Sequence, residues 1–413
     1  MKGVDNTKAD KFSLKTAVLL TAASITLGLA GGAVGSAFSH SISLVTDVRA
    51  DNGWILYFLP LMGVAIVFLY KKLGIASQGT NTVLEAADGK PCLSPLLSVG
   101  VFSASVLSHL CGASVGREGA ALQIGGSIAL PIKKLFKIKD CHLPILARCG
   151  IAAVFSAVFG TPLTAFLFVL EVVCVGTLHL KSILFSFISS FTAFGVSQLL
   201  NTHVERFNLT FIPNFSFDII WKILIITLLT SVLSIGFCHL LYHTTKYAKR
   251  FIKNAYLRIF LGGALVVGLT ALVSTTDYNG AGVNVIERIF DDTLTPNTLN
   301  FKPEAFLLKL LFTTVSVAAG YKGGEIVPTL FIGSAFGALT ASVIGLPVPF
   351  GAALGMILLF CGVTNCPLAS LALSFELFSG AGFWYFLPTV AVCFVLSGKI
   401  SLYSAQKHKF RLL

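Results

Sequence analysis

Hydrophobic residues fill the chain in long blocks. The first opens at Leu14 and the last closes at Leu396, with short polar stretches between them. Most blocks reach the roughly 20 residues that a helix needs to cross a hydrocarbon core of about 30 Å. The alternating short strands of a membrane barrel are missing from the pattern. The blocks predict a helix over 14–38, a polar link holding Asp47, Arg49 and Asp51, and a span over 54–70. A segment at 77–85, polar and then amphipathic, is too short to cross; an apolar run over 93–130 follows. A basic connection over 133–139, a long apolar segment over 147–175, further spans to Leu200 and a polar loop over 201–214 complete the first part.

Past that loop the pattern starts again. Gly282, Asn284 and Glu287 repeat the spacing idea of Gly79, Asn81 and Glu85. Gly323-Gly324-Glu325-Ile326 repeats Gly116-Arg117-Glu118-Gly119. The strongest echo sets Gly150, Phe155, Pro162, Leu163 and Glu171 against Gly355, Phe360, Pro367, Leu368 and Glu376 at identical spacing. Three echoes in one order, each displaced by about 200 residues, indicate an internal duplication. Duplicated membrane folds place their site at the repeat interface, on interrupted helices whose ends face the ion. The breaks at 77–81, 116–119, 280–284 and 323–328 are the expected interruptions. The fold class is therefore all-α: a polytopic membrane protein of two inverted repeats with interrupted and re-entrant helices. We divide it as 1–52, an N-terminal segment with the first helix; 53–214, the first repeat; and 215–413, the second repeat, ending in a tyrosine-bearing helix.

Composition removes the soluble alternatives. Of 413 residues, 55% are hydrophobic and 12% charged, and the mean hydropathy is +0.85. A soluble surface needs far more charge. The net charge of +12 resides in clusters between or beyond the spans: Lys71 and Lys72, 133–139, 246–258 and 407–411. With Lys2, Lys8, Lys11 and Lys15 they mark the cytoplasmic side by the positive-inside rule, so nucleic acid is not an expected partner. No small-residue cleavage site follows the first block, which is read as a retained helix. The nine cysteines stand singly without C-x-x-C spacing, and the eight histidines show no paired-ligand pattern. No metal or cofactor is expected, and no nucleophile–base constellation suggests an enzyme.

The candidate chemistry is the ionisable Arg117–Glu118 pair between glycines inside an apolar run. Ionisable groups at that depth mark ion or proton paths. A helix starting there offers unpaired N–H groups and a positive dipole end to an anion. Glu325 is a second acid at the equivalent break. It either caps its own helix, the favoured reading, or shapes selectivity.

At these residues the chain resembles the CLC family of chloride channels and anion/proton antiporters. Gly116-Arg117-Glu118-Gly119 with Gln123, Gly125 and Gly126, then Gly324-Glu325-Ile326-Val327-Pro328, Gly282-Val283-Asn284, and Leu402-Tyr403-Ser404-Ala405 carry the likeness. It implies that Glu118 is the gating glutamate. It also implies that Gln78, Thr80, Arg117, Gly119, Glu325, Ile326, Val327 and Tyr403 line the anion path. Gln78 and Asn81 stand where the family has serine and proline, and Val172 stands where many antiporters have an inner glutamate. That puts proton coupling in question. Glu171, beside it, is read as structural because Glu376 repeats it. The resemblance further implies a homodimer in a bacterial inner membrane that transports chloride, another halide or a related monovalent anion, coupled to proton counter-transport with Glu118 as the gate. No C-terminal regulatory domain is expected after Tyr403. Passive chloride channel activity and fluoride/proton antiport are the alternatives.

Overall fold

The computed structural model describes residues 13–90, 93–177, 179–291 and 297–409. Lys2, Lys8, Lys11 and Arg411 of the basic clusters lie outside them. The first eight helices are α1 (Leu14–Asp51), α2 (Leu59–Lys72), α3 (Thr80–Ala87), α4 (Leu96–Leu110), α5 (Glu118–Leu135), α6 (Leu143–Phe159), α7 (Pro162–Glu171) and α8 (Leu180–Leu199). The next eight are α9 (Phe217–Phe251), α10 (Ala255–Val273), α11 (Val283–Ile289), α12 (Ala305–Ala319), α13 (Ile326–Ile344), α14 (Val348–Thr364), α15 (Pro367–Leu377) and α16 (Phe383–Ser397). Among the described residues, seven helical segments are long and apolar enough to cross a membrane.

The two sets match element by element. Long α1 and α9, short α3 and α11, and the equal-length α6 and α14 occupy the same places in each. Left-handed residues, Gly160 (φ 67°) and Asn365 (φ 54°), turn the chain from α6 into α7 and from α14 into α15. Prolines Pro162 and Pro367 open the helices that follow, where a missing N–H is tolerated. The α5–α6 crossing brings Gly125 and Gly150 so close that a Cβ on either would strike the other's backbone; Gly333 and Gly355 do the same for α13 and α14. Replacing Gly150 with leucine would force these backbones apart. We expect destabilisation of about 3 kcal/mol or more, read as a lower midpoint of thermal unfolding in detergent.

The sets run oppositely through the membrane. Helix α5 ends at Lys133 and Lys134, on the basic side, whereas Gly345 after α13 accepts from Lys222 near the start of α9, whose far end carries Lys249 and Arg250. The relation is also visible in two caps. Glu171, ending α7, accepts from the N–H groups of Leu368 (3.1 Å) and Ala369 (2.8 Å) at the start of α15. Glu376, near the end of α15, accepts from Leu163 and Thr164 N–H groups (both 2.8 Å) at the start of α7. Each repeat caps the other, as a two-fold relation requires, and the structural reading of Glu171 holds.

Three expectations are corrected. Asp47, Arg49 and Asp51 do not form a link: no glycine or proline interrupts 36–52, and α1 continues through them, with Arg49 Nη1 donating to His109 O (2.7 Å). The segment bearing Tyr403 is not a helix. Gly398, at φ 65°, ends α16, and the backbone beyond it bonds to other elements. Leu402 N donates to Val363 O, Ala405 N to Asn81 Oδ1, and β2 (Lys407–His408) pairs in parallel with β1 (Cys174–Val175). Lys407 also pairs with Asp88. The third concerns Glu325 and belongs to the site.

Candidate functional site

The two central breaks meet head to head. Gly116 and Gly324 exchange both backbone hydrogen bonds, each 2.6 Å, in an antiparallel bridge between the repeats. A Cβ on Gly119 would lie 2.8 Å from Gly323 O and 2.9 Å from Gly324 Cα. Glycine there is what lets the starts of α5 and α13 touch. Their first N–H groups and positive dipole ends therefore converge on one point deep in the protein.

Glu118 lies at that point, fully buried. Its Oε2 accepts from Val327 N (3.2 Å) in the first turn of the opposite helix, and Oε1 has no partner. One negative charge accepting a backbone N–H at a helix start is an arrangement chemically suited to an anion. Ile326 and Val327 are buried beside it. Tyr403 lies on the same core, its ring edge-on to Phe168 (6.4 Å between centroids), its hydroxyl buried without a partner. Glu118 and Glu325 are both electrostatic neighbours of that hydroxyl. Replacing Tyr403 with phenylalanine removes a donor that makes no bond within the protein. The fold should survive, and halide affinity should fall by about tenfold, the equivalent of one hydrogen bond to a charged group; calorimetric titration of halide reads it.

The start of α3 joins the same assembly. Thr80 Oγ1 accepts from Gln123 Nε2 (3.0 Å) of α5, and Asn81 holds the Tyr403 segment through Ala405. Gln78 is half-buried, and its amide oxygen braces Ser94 N (3.0 Å). Among the predicted residues, then, Glu118, Gly119, Ile326 and Val327 gather at one point with Tyr403 nearby, and Thr80 is tied to them.

Two predicted residues behave differently. Arg117 points away from Glu118: its guanidinium holds Glu205 (2.6 Å) and Ser39 Oγ (3.1 Å). The local Arg–Glu pair is therefore replaced by a long-range one, with an acid from the 201–214 loop. Glu325 sits at the N-cap of α13 but makes no side-chain capping bond there, so the capping reading fails. Instead, Val327 N–H of that turn donates to Glu118 across the repeat interface.

Lys309, a lone lysine within the apolar α12, is a further ionisable group whose depth in an apolar run is its sequence signal. It is fully buried, and its Nζ donates to Tyr278 O (3.1 Å) and Gly280 O (2.7 Å), holding the break before α11. A further tie joins the repeats: Ser114 N donates to Ser316 Oγ (3.0 Å) of α12.

Helix starts from two inverted halves, meeting around one buried carboxylate that accepts a backbone N–H from the opposite half, define a membrane transport protein with an anion pathway. The chain matches the voltage gated chloride channel family over residues 62–398. It belongs to the CLC family of chloride channels and anion/proton antiporters, and is a multi-pass membrane protein. Among its relatives, the chloride/fluoride channel protein of Pseudomonas syringae pv. tomato is 30% identical over 92% of this chain and 84% of its own. The H(+)/Cl(-) exchange transporter ClcA of Citrobacter koseri is 25% identical over 91% of this chain and 84% of its own. Among solved structures, a CLC-type fluoride/proton antiporter superposes with a TM-score of 0.91 at 28% identity, covering 96% of this chain and 100% of the other.

Proposed function

We propose that the chain exchanges a monovalent halide for protons, with Glu118 as the exchanging group. The observation that carries this is the Glu118 carboxylate accepting Val327 N–H at the meeting of α5 and α13. Ionised, it fills the place of a halide. Protonated, it loses the charge that held it, swings clear, and leaves the N–H groups to an incoming ion. Backbone donors serve this better than a lysine ammonium, which would hold the ion too tightly for passage. Gly119, Ile326 and Val327 supply the backbone, and the Tyr403 and Thr80 hydroxyls donate further in. Gln78 and Arg117 act at the margins of the path, through Ser94 and Glu205.

Within the halides, chloride is the family default, and fluoride is favoured by two observations. The relatives with the highest identities above carry fluoride in their descriptions, and Glu325 adds a second carboxyl at the start of α13. A protonated carboxyl offers an O–H to fluoride, the strongest hydrogen-bond acceptor among halides. Efflux from liposomes loaded with equal chloride and fluoride tests the choice: fluoride should leave faster, and equal or faster chloride efflux removes the fluoride reading.

Structurally, α1 has its counterpart in α9, so the proposed first repeat takes in the helix of segment 1–52 as well as 53–214, with 215–413 as the second. The chain is proposed to work as a homodimer in the inner membrane, one pathway per subunit. The proposed seat for a second copy is 162–173 and 367–378: Leu368 (43% exposed) and Phe375 (50% exposed) of α15 are open, and Leu163 and Leu167 of α7 are half-buried. The proposed activity is transport, with no enzymatic step.

A further inference from the structure

A cavity of about 330 Å³ opens beside Arg117, at the end of α1 remote from Lys15 and so on the side expected to lie opposite the basic clusters. The C-terminal end of α1, the end of α4, the 201–214 loop and the start of α11 enclose it, and its charged lining is Arg49 and Arg117 with four acids, Asp47, Glu205, Asp277 and Glu287. Asp277 is taken by Arg288 (2.8 Å). His109, also in the lining, is 1% exposed; its Nδ1 donates to Ser105 O (2.8 Å), and its Nε2 is buried without a partner.

Arg117 and Glu205 face each other here with side chains 9% and 7% exposed. The loop carrying Glu205 does not depend on that contact. Phe207 N donates to Leu377 O (3.0 Å), the Phe207 ring stacks on Phe290 (5.0 Å between centroids), and Val204 packs under Gly160. A buried ion pair also adds little stability beyond a well-packed apolar pair. What the pair does accomplish is to cover, with a carboxylate, a guanidinium one residue from Glu118. The arrangement mirrors the inner one, where a carboxylate fills the place of an anion.

We propose that Arg117 is an outer capture site for a monovalent halide and that Glu205 is its built-in competitor. An arriving ion displaces the Glu205 carboxylate from the guanidinium and is held in the cavity, next to the position that Glu118 vacates. Glu205 thereby sets how tightly the entrance holds the ion, so that capture does not become a trap. The inference rests on the transport reading above.

The test is equilibrium dialysis of the purified full chain against radiolabelled chloride, and against fluoride read by electrode. Glu205→Gln keeps the size of the side chain and one acceptor for Arg117 while removing the competing charge. Apparent affinity should tighten by about threefold or more, and the gain should vanish when Arg117→Gln is added. If Glu205→Gln does not purify as a folded species, Glu205→Asp, which retracts the carboxylate by one methylene, should shift affinity in the same direction. Binding unchanged in both, or a gain that survives loss of Arg117, overturns the site. Wild-type flux from the same preparation separates the two ideas: flux with unchanged binding overturns the capture site alone, whereas absence of flux overturns the transport reading.

Discussion

Replacing Glu118 with glutamine should abolish halide-driven proton movement altogether, while the protein still folds and binds halide. The side chain keeps its volume, and its amide oxygen can still accept from Val327 N, so the meeting of α5 and α13 is preserved. What is lost is the ability to take up and release a proton. In the wild-type chain, acid converts the competing carboxylate to a neutral group, so halide flux should rise as pH falls. In Glu118→Gln the group is neutral at every pH, and the profile should be flat. Flux at several pH values in liposomes, with proton uptake followed by electrode, reads both effects. A variant whose proton movement and pH profile match wild type would remove Glu118 from the mechanism.

A second large effect, on stability, is expected at the reciprocal caps. Glu376 accepts two backbone N–H groups and the Thr164 hydroxyl (2.6 Å), and Glu171 accepts two backbone N–H groups. Glutamine can accept with its oxygen but must turn an NH2 toward a second donor, leaving buried N–H groups unpaired at a helix start. Each Glu→Gln change should cost about 2–4 kcal/mol. Because each acid caps the other repeat's helix, both changes should loosen the same α7–α15 pairing. The double variant should therefore lose less than the sum of the two singles. Thermal unfolding in detergent of the singles and the double checks this, and full additivity would mean that the two caps act independently.

The helix starts could be read from sequence because glycines interrupt apolar blocks at four places, and a break inside a membrane needs a partner or a cavity. α3, α5, α11 and α13 begin at those breaks. The role of Glu171 was legible through its repeat mate, since a residue kept by both halves at one spacing points to shared architecture. Long-range pairing was not legible. Nothing near Arg117 in the chain announces Glu205, 88 residues away; the loop that brings them together is positioned by Phe207 and Val204 packing on distant helices. The Tyr403 segment misled for a related reason. Its sequence permits a helix, but its backbone is satisfied by Val363, Asn81 and β1, contacts that exist only once both repeats have folded. Polar residues at the end of α1 looked like a link because their partners, such as His109 O for Arg49, lie on another helix.

The central claim is that one titratable carboxylate and a halide take turns at the same helix starts. Its most direct measurement is proton uptake by liposomes that contain the purified chain and are loaded with halide, with no proton gradient at the outset. The account predicts that halide leaving down its gradient drives protons inward against theirs, and that Glu118→Gln abolishes the uptake. Halide efflux with no proton movement in the wild-type chain would contradict it.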